Sequence, residues 1–115
     1  MSPWRQITLA GTMMAALVLV SAGPARPQPE TAPRIEIKAH AFGSAELTIR
    51  PGTTVTWINH DDDPHTVTST ENVFRSPGLD TDETYSYTFT KPGTYQYFCT
   101  LHPLMTGKVV VRSES

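Results

Sequence analysis

Cysteine is almost absent from this chain, with one among 115 residues. A single thiol closes no internal disulfide, and it excludes zinc ribbons and clusters held by four thiolates. Basic residues are also few, 9 Lys+Arg against 11 Asp+Glu, for a formal charge of −2. No cationic stripe exists, which excludes nucleic-acid binding as a function class. No stretch repeats apolar residues at intervals of three and four, so no amphipathic helix is expected. The uncharged apolar run from Ile7 to Val20 has 14 residues, short of the roughly 20 that span a bilayer. The length suits one domain, without internal repeats or room for a second catalytic unit. What survives is a small domain carrying at most one compact site.

That apolar run has a different use. Arg5 precedes it, and Ser21 and Ala22 follow it. A basic start, a short apolar stretch and small residues at a cleavage position describe a secretory signal peptide, expected over residues 1–22 and cut after Ala22. An uncleaved anchor is the alternative. The run is not followed by Cys, so a lipoprotein anchor is ruled out, and the lone Arg5 argues against a twin-arginine signal. Cleavage leaves 8 basic against 11 acidic residues, a formal charge of −3, in 93 residues beginning at Gly23. It also leaves one Cys and one Met, Cys99 and Met105, six positions apart.

Residues 23–33 hold four prolines in eleven positions and almost nothing to bury, so they read as an extended lead-in. From Arg34 to the end at residue 115 the period is two. Ile35, Ile37 and Ala39 alternate with polar neighbours, as do Leu47 with Ile49, Val55 with Trp57, and Tyr85, Tyr87 and Phe89. Tyr95 and Tyr97 continue the pattern toward Cys99, and Gly107 to Arg112 closes the domain. Pro51-Gly52 and Pro92-Gly93 are turn signals. Seven to eight short strands at this spacing predict an all-β antiparallel sandwich or barrel. About ninety residues bury only somewhat over 60% of their extended surface, so the core is one layer between two sheets.

The chemistry concentrates near the C-terminus. Thiolate, imidazole and thioether occur within seven residues, at Cys99, His102 and Met105, in the loop joining the last two strands. A second imidazole, His65, follows Pro64 in an earlier loop. One Cys, two His and one Met match the trigonal His₂Cys plane with a weak axial Met that defines a type 1 copper site. Soft thiolate favours Cu(I), and imidazole suits both oxidation states. Taken singly, a cysteine at a strand end packs as a small hydrophobe and a methionine fills core space. The ordered set in one loop, joined by a histidine from another, favours copper. A Cys-His nucleophilic site needs two of the same side chains. It explains neither Met105 nor the placement on a closing hairpin loop, and no oxyanion device or third orienting group accompanies it.

The segment from Tyr95 to Met105 resembles the cupredoxin family of blue copper proteins, and its Cys-x₂-His-x₂-Met loop is as short as that of the amicyanin branch, close to the plastocyanin-like members. The resemblance runs from Arg34 through Pro51-Gly52-Thr53-Thr54-Val55-Thr56-Trp57-Ile58-Asn59, Pro64-His65 and Pro92-Gly93-Thr94-Tyr95. It implies a Greek-key β-sandwich with copper near one end, held by His65, Cys99, His102 and Met105. Many relatives have Asn after the first histidine ligand, hydrogen-bonded across to the ligand loop. Thr66 stands there in this chain, and its hydroxyl is the candidate substitute.

The other histidines carry less. His40 is expected to end a strand at the surface, with Phe42 in the core. His60 and the run Asp61 to Asp63 offer ligands for a hard or borderline metal, but such a run reads as a solvated loop. Near the copper end its expected effect is electrostatic, favouring basic partners at low salt. The reading is therefore an exported one-electron carrier, not an enzyme. It is expected to be a monomer, periplasmic or otherwise exported, that meets transient redox partners near His102, without nucleic acid or a membrane span after cleavage. The alternative is a periplasmic copper-binding or copper-delivery protein using the same site.

Overall fold

A computed structural model describes residues 32–113, together with Gly11 and Ala16. The expected leader, its cleavage point after Ala22 and nearly all of the proline-rich lead-in lie outside the described residues. Among the described residues there are eight strands and no helix: β1 (Arg34–Lys38), β2 (Ala41–Phe42), β3 (Glu46–Ile49), β4 (Thr53–Asn59), β5 (Thr68–Ser69), β6 (Thr84–Phe89), β7 (Gly93–Phe98) and β8 (Thr106–Val111). They form two four-stranded sheets, ordered β2-β1-β4-β6 and β3-β8-β7-β5. The two pack face to face as a β-sandwich.

Two pairings depart from the antiparallel expectation. β1 runs parallel to β4, with Ile35 opposite Trp57, and β3 runs parallel to β8, with Leu47 opposite Val109. Both follow from connections that cross between sheets instead of turning back as hairpins. Alternation also fails at Ala39, where β1 has already ended. Ala39 and His40 take positive φ angles of 52° and 55° and turn the chain into β2. That matches the two-residue hairpin turn with left-handed central residues. At Pro51-Gly52, the Thr53 N–H donates to the Arg50 carbonyl and Gly52 has φ 87°. This is a type II turn, which needs the positive φ that Gly52 supplies and commonly has Pro before it.

The core lies between the sheets. Ile35, Ile37, Val55, Trp57, Phe89, Tyr97, Val109 and Val111 are buried from the strands. Val67, Phe74 and Leu79 are buried as well, although all three lie in the irregular connection between β4 and β6. Trp57 sits at the centre, with Tyr97 edge-on at 5.5 Å and Phe74 and Tyr85 at 5.9 Å between ring centroids. Burying side chains of this size contributes about 1.5–3 kcal/mol each. Tyr97 packs so closely on β8 that a Cβ at Gly107 would lie 2.5 Å from its ring and hydroxyl. At one end of the sandwich the β1–β2 turn, the chain after β4 and the β7–β8 loop converge.

Candidate metal centre

The chain leaving β4 is shaped by Asn59, a fully buried amide. Its Nδ2 donates to the carbonyls of Asp63 at 2.9 Å and Leu79 at 2.8 Å, while Oδ1 accepts the Asp61 N–H. Three bonds from one side chain curl residues 60–64 into a tight loop. His65 follows, pinned to Leu79 by two backbone hydrogen bonds of 3.1 and 2.7 Å, and is 0% exposed.

The β7–β8 loop closes on itself. Cys99 N–H donates to Met105 O at 3.0 Å, Met105 N–H to His102 O at 2.9 Å, and His102 N–H to Cys99 O at 3.3 Å. Cys99, His102 and Met105 thus become the corners of one rigid turn. Cys99 is fully buried, Met105 is buried and His102 is half-buried.

The thiol faces both imidazoles. Cys99 Sγ lies 3.7 Å from His65 Nδ1 and 3.7 Å from His102 Nδ1. Bonds of about 2.3 Å to sulfur and about 2.0 Å to nitrogen, meeting near 120° at a metal, put those atoms about 3.7 Å apart. The donor set therefore fits a trigonal thiolate–diimidazole site, the geometry and softness associated with copper. Sγ also accepts the Thr66 N–H at 3.3 Å, which ties the thiol to the residue after His65.

His65 is presented in one tautomer. Its Nε2 donates to Asp61 Oδ2 at 2.8 Å, because an ionised carboxylate can only accept. That leaves the Nδ1 lone pair facing sulfur, the carboxylate–histidine arrangement that fixes metal-ligating rings. Asp61 is committed on both oxygens, accepting the N–H groups of Ala39 at 2.8 Å and His40 at 2.9 Å. Burial alone would raise the Asp61 carboxyl. The His40 N–H, the His65 ring and the Ala39 N–H outweigh it and hold the group below its ordinary value.

A family model described as "Cupredoxin-like domain" matches residues 11–111. Amicyanin of Paracoccus denitrificans is 42% identical over 67% of this chain and 63% of its own length. Amicyanin-alpha of Methylorubrum extorquens is 40% identical over 72% of this chain and 74% of its own. A solved amicyanin variant in its Cu(I) form superposes with a TM-score of 0.67 at 40% identity, covering 70% of this chain and 82% of that one. The chain belongs to the cupredoxin family.

In this cupredoxin Thr66 does tie the two loops. Its Oγ1 accepts the Thr100 N–H at 2.8 Å and is hydrogen-bonded to the Thr100 hydroxyl, also at 2.8 Å. Two residues read differently in the sequence. Asp61 is not a solvated acid; its side chain is 14% exposed and it orients His65. His40 does not end a strand; it occupies the turn, with ring centroids 5.2 Å from His65 and 4.9 Å from His102. Its Nε2 donates to Asp63 Oδ2 at 2.8 Å. The sequence signal for Asp61 was its place four residues before His65; for His40 there was none, since contact arises only where β1 turns. His60 stays apart, nearest Glu36 at 3.5 Å and Asp82 at 3.9 Å.

Proposed function

We infer that His65, Cys99, His102 and Met105 hold one copper ion in a type 1 centre through which the protein passes single electrons between redox partners. The observation that carries this is the pair of equal 3.7 Å separations between Cys99 Sγ and the two Nδ1 atoms. The protein is a copper-dependent electron carrier and not an enzyme. Bound copper supplies the one-electron couple. The chain's part is to keep the donors still. Asp61 locks His65, the three backbone bonds of the ligand loop lock the other corners, and Thr66 joins the two. Donors held this way move little as charge changes.

Partners dock at His102 in this reading, with the protein acting as a monomer. Leu101 and Leu104, on either side of that half-buried ring, are 53% and 98% exposed. A small apolar face around a redox group suits brief encounters. Asp63, whose carboxylate lies within 4.8 Å of a His102 ring nitrogen, and its neighbour Asp62 are both exposed and favour basic partners, more so at low salt. Copper delivery would call for a site that releases its ion, whereas His65 and Cys99 are wholly enclosed.

Amicyanins and plastocyanins are exported proteins, and no helix among the described residues is long and apolar enough to cross a membrane. The proposed processing removes residues 1–22 and leaves the lead-in 23–33 and the domain 34–115. Mass spectrometry of the exported protein should then find Gly23 at its N-terminus.

The test of the centre is an absorption spectrum of the copper-loaded, oxidised protein. An intense visible band is expected from thiolate-to-copper charge transfer. Cys99→Ser should abolish it while circular dichroism stays that of the folded sandwich. A serine variant that remains intensely blue would overturn the assignment.

A further inference from the structure

Three groups of potential ligands overlap at this end of the molecule: His65 with Cys99 and His102, His40 with Asp61 and His65, and His40 with Asp63 and His102. Within each group the donor atoms lie within 4.8 Å of one another. Exposure is graded across them. The His40 and Asp63 side chains are 51% and 61% exposed, His102 is half-buried, and His65 and Cys99 are at 0%. Each group also shares a residue with the next. His102 belongs to the outermost and innermost sets, and His40 links the outermost to His65.

The placement of His40 is built, not incidental. Its backbone sits in the left-handed region at φ 55°, its N–H is held by Asp61 and its ring by Asp63. Two imidazoles and one carboxylate form a donor set suited to a borderline ion such as Cu(II). A buried thiol has to receive its metal from solvent, and the most exposed donors leading to Cys99 are these.

We propose that His40, Asp63 and His102 form an outer capture site for incoming copper, from which the ion passes inward to Cys99 and His65. This rests on the reading of His65, Cys99, His102 and Met105 as the resident ligands. The His40–Asp63 hydrogen bond opens to receive the ion. Transfer then exchanges the bonds from His40 nitrogen and Asp63 oxygen for bonds from Cys99 Sγ and His65 Nδ1. The Cys99 thiol proton leaves to water, as metal binding requires, and no electron moves. Asp62 carries the same charge as Asp63 and belongs to none of the three groups, so it separates ligation from general attraction.

The experiment mixes dilute copper(II) salt with metal-free, full-length protein in a stopped-flow spectrometer and follows the growth of the visible band. His40→Asn keeps a side chain that tolerates positive φ, and Asp63→Asn keeps the size. Each should slow uptake by about tenfold, the lower end of what losing one supporting group at a metal site costs. The final spectrum and reduction potential should equal the parent's, and Asp62→Asn should load at the parent rate. Parent-rate loading in both variants, or equal slowing in Asp62→Asn, overturns the capture site alone. A parent protein that never becomes blue overturns the ligand assignment beneath it.

Discussion

Met105 occupies an unusual position for a methionine in a core. It is 6% exposed, and its backbone closes the ligand loop at both Cys99 and His102, so a change of side chain leaves those bonds intact. Substitution there should therefore report on the metal and not on the fold. A harder amide oxygen favours Cu(II), and axial ligand identity tunes the potential of such sites. Met105→Gln should lower the reduction potential measured by voltammetry. An unchanged or raised potential would remove Met105 from the ligand set.

β7 and β8 carry the ligand loop between them and pair antiparallel along their length. Tyr97 and Gly107 are direct partners in the ladder. The Tyr97 ring packs edge-on against Phe42 at 4.7 Å and Trp57 at 5.5 Å, so moving it disturbs both. Gly107→Ala would place a methyl 2.5 Å from that ring. Overpacking of this kind costs about 1–3 kcal/mol. Urea unfolding of the variant should show that loss as a lower midpoint with an unchanged slope, and a midpoint equal to the parent's would mean the strands part easily.

The stability of the whole sandwich should depend on alkaline pH through the same tyrosine. Tyr97 is 1% exposed, and its hydroxyl, like the Trp57 Nε1, is buried without a hydrogen-bond partner. Burial pushes the phenol from 10.0 up to about 12, which the Trp57 indole only weakly opposes. Because the folded-state value is raised, the neutral phenol's contribution is fully present below pH 10. Above that the unfolded chain loses its proton first, and folding stability falls by about 1.4 kcal/mol per pH unit. The decline ends near pH 12, where the folded phenol ionises too. Thermal melts between those limits should fall less steeply for Tyr97→Phe than for the parent, and parallel curves would show that the ring reaches solvent.

The sequence by itself determined the local matters, because each depends on neighbours along the chain. Period-two alternation identified the strand faces that bury Ile35, Ile37, Val55, Trp57 and Tyr97, and Pro51-Gly52 dictated its turn. Cys99, His102 and Met105 were legible as a set because one loop of seven residues carries all three. Tertiary structure alone decided what depends on distant segments meeting. The parallel pairing of β1 with β4 has no local signature. Val67, Phe74 and Leu79 join the core from a connection without periodicity. Asp61 looked like one of three solvated acids until the Ala39–His40 turn supplied two N–H groups to it and His65 a third donor. His40 acquired a place beside both imidazoles for the same reason: the chain reverses after Lys38, and only that reversal brings its ring to the centre.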